Sequence, residues 1–216
     1  MLCRLRDFFT PLNPSELQRF GLLCVVSGPS GSGKTTLCHR FAEEDEFADH
    51  AVSATTREPR EGEKDGVDYY FLSREEFEER VEKREFLEYA EVHGQLYGTI
   101  KTEVMARLSE GHDVLVDIDV QGAEQIRQHR NETITRAMID IFILPPDGEE
   151  LVERLRGRGT ETDQQLALRL HNARGEMGHW KNYQYTIVSA SKEQDFATFS
   201  SIVNAERCRT SRFLVD

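Results

Sequence analysis

The hydrophobic residues of this chain occur in short runs that polar segments separate. The first run, Leu22 to Val26, is apolar throughout and shows no alternation, which is typical of a strand buried on both faces of a parallel sheet. Asp113 to Ile118 and Ile139 to Leu144 have the same buried-strand character, and a helical pattern follows each of them. Buried strands that alternate with helices predict an α/β protein in which helices flank a parallel sheet.

Weaker patterns complete this core. Lys34 to Glu44 predicts a helix shortly after the first strand, and Ala51 to Ser53 predicts a short second strand. Near the C-terminus, Ile187 and Val188 predict the last core strand, and Lys192 to Phe213 predicts a closing helix.

A region of different character interrupts the core. Thr55 to Gly66 is polar and rich in glycine, proline and charge, which predicts a loop. Two short strand-like pieces, Tyr69 to Leu72 and Phe86 to Val92, flank a helical stretch from Arg74 to Lys83. Ser73 to Glu76 has the S-x-x-E spacing of a capping box at the start of that helix. These patterns predict a small α+β insertion.

A second special segment follows the strand that ends at Leu144. Residues 147–180 are helical in propensity and carry an arginine-rich centre around Gly157 and Gly159, which would suit a mobile cover over phosphate groups. The patterns together predict the following division: an N-terminal extension (1–20) and a single domain (21–216), built from core segments 21–52, 103–146 and 181–216, the insertion 53–102 and a helical lid 147–180.

Composition limits the classes of partner. The chain has 39 acidic and 27 basic residues and a net charge of −12, which argues against a nucleic-acid partner because such binding depends on phosphate neutralisation. A small nucleotide is compatible with this charge, since a few arginines and backbone amides can hold it locally. No apolar run approaches the roughly 20 residues of a membrane-spanning helix, which argues against a membrane protein.

The cysteines and the N-terminus bear on location. Cys3, Cys24, Cys38 and Cys208 show no C-x-x-C spacing and are too sparse for a disulfide scaffold. Charged residues interrupt the short apolar clusters of residues 1–20, so that no secretory signal is apparent. We therefore expect a cytoplasmic protein, and both a monomer and a homo-oligomer remain open.

The most specific local motif lies between the first strand and the first helix. It reads G-x-x-x-x-G-K-[ST] and predicts a phosphate-binding loop of the P-loop NTPase type. Backbone amides and the helix N-terminus would hold the phosphates, Lys34 would reach the β- and γ-phosphates, and the Thr35 hydroxyl would ligate Mg²⁺. The residues predicted to bind ATP phosphates are Gly28, Pro29, Ser30, Gly31, Ser32, Gly33, Lys34, Thr35 and Thr36.

Further motifs, in the same order along the chain, resemble those of guanylate kinases over roughly residues 22–210. They are Ser53-Ala54-Thr55-Thr56-Arg57-Glu58-Pro59-Arg60-Glu61-Gly62-Glu63, Gly66-Val67-Asp68-Tyr69-Tyr70-Phe71, Phe86-Leu87-Glu88, Tyr97-Gly98-Thr99, Asp117-Ile118-Asp119-Val120-Gln121-Gly122 and Arg158-Gly159-Thr160-Glu161-Thr162. The resemblance implies a kinase that transfers the γ-phosphoryl group of ATP to GMP, with Mg²⁺ as cofactor.

The resemblance also implies roles for the residues of the acceptor site. Two arginines three residues apart can clamp one phosphate, and tyrosine hydroxyls add neutral donors. The residues that match the family's phosphate clamp are Arg57, Arg60, Tyr69 and Tyr97. Guanine presents N1–H and an N2 amino group beside the O6 acceptor, so its recognition calls for carboxylates and hydroxyls. The matching residues are Glu88 and Asp119 for the donors and Ser53 and Thr99 for O6 and its neighbours.

Phosphoryl transfer needs positioning and charge stabilisation. The cations expected to converge on the transferred group are Lys34, Arg57, Arg60, Arg158 and Arg169, of which the last two match arginines of the family's lid. Asp117, at the end of a buried strand, resembles a carboxylate near Mg²⁺ or the acceptor. A carboxylate at that position could equally cap the following helix.

Three points leave alternatives open. Ser189 and Ala190 stand where family members often carry Asn-Asp, which leaves the choice of donor nucleotide less defined. A non-catalytic guanylate-kinase-like module that binds phosphorylated peptides is an alternative, but such modules typically have a degraded phosphate loop. A P-loop kinase acting on another phosphorylated small molecule would lack the guanine-reading residues.

The seven histidines show no metal-ligand spacing with cysteine, and we predict that they are structural or surface residues.

Overall fold

The computed structural model describes residues 18–92, 94–147, 151–152 and 163–213. In chain order, its strands and α-helices are β1 (Leu23–Ser27), α1 (Lys34–Glu44), β2 (Ala48–His50), β3 (Ser53–Thr55), β4 (Tyr70–Phe71), α2 (Arg74–Glu82), β5 (Phe86–Val92), β6 (Gln95–Ile100), α3 (Lys101–Ser109), β7 (Asp113–Asp117), α4 (Val120–Arg127), α5 (Glu132–Ala137), β8 (Met138–Leu144), α6 (Asp163–Met177), β9 (Tyr185–Val188) and α7 (Lys192–Arg207).

A five-stranded parallel sheet forms the core, in the order β2-β7-β1-β8-β9. Residues 22–26, which lead into and form most of the central strand β1, alternate between two apolar layers. Leu22, Cys24 and Val26 pack with α1 and α7, whereas Leu23 and Val25 pack with α3, α4 and α5. Both faces are therefore covered, which is why the sequence of this strand is apolar without alternation. The predicted α/β fold with a helix-flanked parallel sheet is confirmed.

The carboxyl ends of the parallel strands meet at one edge of the sheet, and several polar residues lie there. Ser27 ends β1, His50 ends β2 and Asp117 ends β7. In open α/β sheets, ligands bind in the crevice outside these ends, beside the point where the strand order reverses. The strand order makes this edge the expected place for a functional site.

A second, four-stranded sheet, in the order β4-β3-β6-β5, is inserted between β2 and α3. Its small core contains Phe77 of α2, Phe86, Leu96 and Ile100. The register of β5 and β6 shifts between Phe86 and Glu88. A β-bulge of this kind re-aims a side chain and is common beside active sites. The capping box predicted for α2 is present, with Ser73 and Glu76 bonded reciprocally.

The insertion is tied to the core through strand β5. The backbone N–H of Tyr89 donates to Oε1 of Gln125 at 3.1 Å, and the Gln125 amide donates back to the Tyr89 carbonyl at 2.9 Å. Gln125 lies on α4, the helix that follows β7. This reciprocal pair fixes the strand that carries Glu88 relative to the polar edge of the main sheet.

Several predicted boundaries are corrected. The strand predicted over Ala51 to Ser53 is wrong in position, because β2 ends at His50, β3 begins at Ser53, and Ala51 and Val52 join the two sheets. The closing helix ends at Arg207 and is followed by a short 3-10 helix, Thr210–Arg212. Among the helices that the structure describes, none is both long and apolar enough to cross a membrane.

Candidate active site

The loop from Gly28 to Thr35 joins the central strand β1 to α1, and two of its glycines are required by the geometry. Gly33 precedes α1 with a φ of 91°, in the left-handed region that favours glycine. A Cβ on Gly28 would lie 2.5 Å from the Ile143 carbonyl oxygen and 2.8 Å from Ser32 Oγ. The loop therefore passes very close to β8, and its backbone is free of side-chain bulk where it turns into the helix.

The side chains of this loop present donors. Lys34 Nζ donates to the Gly28 carbonyl at 3.1 Å, so that the ammonium group lies over the loop. Ser32 Oγ is buried and has no hydrogen-bond partner among the residues that the structure describes. Thr35 Oγ1 donates to Oδ2 of Asp117. A helix N-terminus with a lysine and unused donors is suited to hold an anion.

Asp117 is held by donors on both carboxylate oxygens. Thr35 binds Oδ2, and Nε2 of His50 lies 2.8 Å from Oδ1. Burial alone would raise the pKa of Asp117, but the hydrogen bonds from His50 and Thr35 outweigh it and the pKa is lowered. The carboxylate is therefore ionised. It is not the cap of the next helix, because the N-cap residue of α4 is Asp119, and this removes one of the two roles considered for Asp117. His39 of α1 packs against the His50 ring at a centroid distance of 4.2 Å.

The cap of α4 is Asp119 instead. Its Oδ1 accepts the backbone N–H groups of Gln121 and Gly122, at 2.9 and 2.8 Å. The same carboxylate lines the cavity described below and contributes to the raised pKa of Glu88. One oxygen of Asp119 is thus used by the fold.

Three residues predicted to read a base lie on adjacent strands of the insertion. Ser53 of β3 is opposite Thr99 of β6, and Thr99 is opposite Glu88 of β5. Thr99 Oγ1 donates to Glu88 Oε1 at 2.7 Å, so this hydroxyl holds the Glu88 carboxyl group in place. Glu88 is only 6% exposed, and burial raises its pKa to about 7, with Asp119 adding to the effect and Thr99 opposing it.

The predicted phosphate clamp is partly assembled. Arg57 forms a bidentate pair with Glu63, at 2.8 and 2.9 Å, and its guanidinium lies 5.3 Å from the centroid of the Tyr69 ring. The rings of Tyr69 and Tyr97 are 6.1 Å apart. The side chain of Arg60 is exposed, and its backbone N–H donates to Glu63 at 2.7 Å. Glu63, which the sequence did not single out, therefore organises both arginines of this loop.

Many of these groups line one cavity of about 650 Å³, to which residues of both sheets contribute and which we call the central cavity. Its polar lining residues are Thr35, His39, His50, Ser53, Glu63, Asp68, Tyr69, Glu88, Tyr97, Asp117 and Asp119. Glu88 and Asp119 form one end, which we call the base end. Thr35, Asp117 and His50 form the phosphoryl end beside the loop.

A second cavity of about 540 Å³ lies on the other side of the loop. It is lined by Gly31, Ser32, Gly33, Thr36, Leu37, Arg40, Ile143, Ala190, Lys192 and Asp195. Asp195 accepts the Ser189 hydroxyl at 2.7 Å and the Ala190 N–H at 2.8 Å. It thereby fixes the segment in which the sequence departs from the Asn-Asp pattern.

The lid is described in part. Arg169 lies within α6, and Arg158 lies outside the described residues. Glu176, near the end of α6, lies close to Lys34 and to the Ser30 backbone N–H. Burial raises the pKa of Glu176, and the Lys34 charge and the Ser30 amide oppose that rise. This carboxyl connects α6 to the phosphate loop.

Four residues of the site were missed from the sequence. His50, Glu63, Glu176 and Asp195 each contact a predicted site residue, or hold one in place. Glu63 could have been found, because it lies inside the quoted arginine motif. The other three carry no local signal, since their partners are distant in sequence or lie in a segment of unusual sequence.

Known proteins resemble this chain over most of its length. A family model described as guanylate kinase matches residues 21–206. The guanylate kinase of Clostridium tetani is 45% identical over 192 residues, covering 89% of each chain. That of Paramagnetospirillum magneticum is 44% identical over 196 residues, covering 91% of this chain and 90% of the relative. The crystal structure of guanylate kinase from Anaplasma phagocytophilum matches with a TM-score of 0.73 at 33% identity, covering 92% of each chain.

Proposed function

The chain belongs to the guanylate kinase family of ATP:GMP phosphotransferases, and we propose on this basis that its central cavity binds GMP with guanine at the base end. ATP binds on the phosphate loop with its base in the second cavity, and the γ-phosphoryl group passes to GMP at the phosphoryl end. The reaction products are ADP and GDP, which places the enzyme in purine nucleotide metabolism.

The observation that carries the assignment of GMP is the buried carboxyl of Glu88. With a pKa of about 7, it is only partly ionised without a ligand. The N1–H and N2 amino donors of guanine would favour the ionised form and supply the hydrogen bonds that burial denies it. Adenine has an acceptor at N1, so it would not supply the donors that guanine offers to the carboxylate oxygen that Thr99 does not reach, which is strongly discriminating. Ser53 and Asp119 line the same cavity and would complete the contacts.

The other end of GMP fits the cluster around Arg57. Glu63 holds this guanidinium in place, and the hydroxyls of Tyr69 and Tyr97 project from rings packed beside it. A fixed guanidinium loses little conformational freedom when it binds a phosphate. The Arg60 side chain, exposed on the same loop, can form a second bidentate contact with the phosphate when GMP binds.

The residues at the phosphoryl end also fit Mg²⁺. Mg²⁺ prefers hard oxygen ligands, and it commonly takes one or two from the protein and the rest from water and substrate phosphates. The Thr35 hydroxyl and the Asp117 carboxylate already contact each other and provide such oxygens. When bound, the ion would neutralise charge on the β- and γ-phosphates.

The side chains of this protein would divide the work of transfer as follows. Lys34 and the amides of the phosphate loop hold the donor phosphates, and Arg57 and Arg60 hold the acceptor phosphate. Ser53, Glu88 and Asp119 bind the guanine and so fix the position of the GMP phosphate relative to the γ-phosphoryl group of ATP. Arg158 and Arg169 belong to the lid segment and would add positive charge near the transferred group. These contributions are positioning and charge stabilisation, which dominate phosphoryl transfer.

The two rival functions are not favoured. A phosphopeptide-binding module would have no need of Lys34 and Thr35 at a helix N-terminus, both of which are intact here. A P-loop kinase for another small phosphate would have no need of the carboxyls and hydroxyls at the base end. The similar proteins described above carry the name guanylate kinase.

We also place the enzyme in the cytoplasm. Cys24 and Cys38 are free and buried, and Cys208 is a free, exposed thiol, as is typical of proteins in a reducing compartment. Its partners are then the small molecules ATP and GMP.

The test is a comparison of Michaelis constants for wild type and Glu88→Ala. We expect the KM for GMP to rise by at least about 10-fold, because a charged partner of the guanine donors is lost, while the KM for ATP changes by less than about 2-fold. Glu91→Ala, an exposed position on the same strand, serves as the matched control and should behave as wild type. Equal rises in both constants would contradict the guanine-contact role of Glu88.

A further inference from the structure

His50 occupies a place at the phosphoryl end that no motif predicts. It is the last residue of β2, an edge strand paired in parallel with β7, and it lies opposite Leu115 in the register. Asp117 is two residues further along β7, at the same edge of the sheet. The parallel pairing therefore brings an imidazole from the edge strand next to the carboxylate that contacts Thr35.

The contacts leave Asp117 little freedom. Its Oδ1 accepts from His50 Nε2 at 2.8 Å, and its Oδ2 accepts from the Thr35 hydroxyl. With one donor on each oxygen, the carboxylate cannot rotate without breaking one of the two bonds. Removal of His50 would leave Oδ1 without this donor at a position where the side chain is 16% exposed.

The imidazole is itself held in place. His39, one turn after Thr35 on α1, packs against the His50 ring at 4.2 Å between centroids with an interplanar angle of 32°. A side chain that is both bonded to Asp117 and packed against α1 relates β2, β7 and the phosphate-loop helix to one another. Residues that orient a ligand to a metal have this arrangement, and their loss typically costs about 10- to 100-fold in metal affinity or activity.

We propose that His50 is a positioning residue that holds the Asp117 carboxylate toward Thr35, and so presets the magnesium side of the phosphate loop. This inference rests on the proposed function, because it assumes that Thr35 and Asp117 serve a magnesium–nucleotide complex. His50 acts through Asp117 and is assigned no contact with GMP or ATP.

The experiment compares His50→Leu, which removes the donor, with His50→Gln, whose amide can reach Asp117 as Nε2 does. The control is His112→Leu. His112 also pairs with a carboxylate, Asp49, at 2.9 Å, but it does not line the central cavity. For each variant we would measure kcat, the KM for GMP, the melting temperature, and the affinity for ADP with Mg²⁺ and with EDTA.

We expect His50→Leu to lower kcat by about 10- to 100-fold with little change in the KM for GMP. It should also lose most of the gain in ADP affinity that Mg²⁺ provides, with unchanged affinity in EDTA. His50→Gln should recover most of both effects, and His112→Leu should match wild type.

Three results would overturn the proposal. A raised KM for GMP with unchanged kcat would show that His50 contacts the acceptor directly. Equal behaviour of His50→Leu and His50→Gln would show that the ring only fills space. A lowered melting temperature without any change in the ADP titrations would leave a purely structural role. The ADP titrations need no turnover, so they test His50 even if wild type failed to phosphorylate GMP, a result that would overturn the proposed function alone.

Discussion

The two ends of the central cavity each contain a carboxyl group, Glu88 buried and Asp117 partly buried, and the pKa values of the two groups shift in opposite directions. At the base end, the pKa of Glu88 is raised to about 7. At the phosphoryl end, the pKa of Asp117 is lowered. Burial acts in the same direction on both, and the difference lies in the donors that surround them.

Asp117 receives a hydrogen bond on each oxygen and lies near the Lys34 charge, so its ionised form is stabilised before any ligand binds. Glu88 receives the Thr99 hydroxyl and has the Asp119 carboxylate nearby. The hydrogen-bond donors to Asp117 therefore all come from the protein, whereas Glu88 needs further donors from a ligand. Guanine, a neutral base, can therefore gain binding energy from its hydrogen bonds to Glu88. At the phosphoryl end, the charges of Asp117 and Lys34 are in place before a ligand binds.

The largest effect that would separate the two ends is the loss of Lys34. In Lys34→Met we expect kcat to fall by about 10²- to 10³-fold, as for other single groups that stabilise transition-state charge. The dissociation constant for GMP should stay within about 2-fold of wild type, since the base end is intact. Steady-state kinetics and calorimetry with GMP measure the two quantities.

Lys83→Met is the matched control, because Lys83 is an exposed residue that directly follows α2 and pairs with Glu79 at 2.6 Å. It should leave kcat unchanged. A drop in kcat of less than about 10-fold in Lys34→Met would mean that this lysine does not serve the donor phosphates.

A smaller effect should appear in stability at the base end. The folded-state pKa of Glu88 is above its ordinary value of 4.5, so the folded protein retains a proton that the unfolded chain releases. The stability contributed by Glu88 is thus fully present below pH 4.5 and is lost as the pH rises through 7. Relative to Glu88→Gln, wild type should lose about 3 kcal/mol of unfolding free energy between pH 4 and pH 8.

Urea denaturation at the two pH values measures this difference, and GMP should be absent. Glu91→Gln, exposed on the same strand, gives the background from an ordinary glutamate. The same stability difference between wild type and Glu88→Gln at both pH values would contradict a raised pKa for Glu88.

Much of the core follows from local sequence. The apolar run at Leu22 to Val26 predicts β1 because both faces of that strand are covered, and Lys34 to Glu44 forms α1 as predicted. Strands of the insertion are harder to predict, because β3 has three residues and β4 has two. Such short strands are stabilised by their neighbours: β4 pairs with β3, and β3 pairs with β6, which was not predicted.

The residues of the site can also be divided into those that local sequence predicts and those that it does not. Residues of the phosphate loop are predictable because one continuous segment performs one task. His50 and Asp195 are not, because each acts on a partner brought near by the fold: Asp117 lies 67 positions away from His50, and Asp195 supports a segment that departs from the common pattern. The capping role of Asp119 was also missed, because Asp117 is the residue that directly ends the strand.

The most direct test of the account is an assay of ADP formation from ATP and Mg²⁺ with GMP, AMP, CMP, UMP or no acceptor. We expect turnover to require GMP and to be at least about 100-fold slower with AMP, because adenine does not supply the donors that guanine offers to Glu88. Comparable turnover with AMP, or GMP binding without any transfer, would contradict the claim that this cavity is the acceptor site of a guanylate kinase.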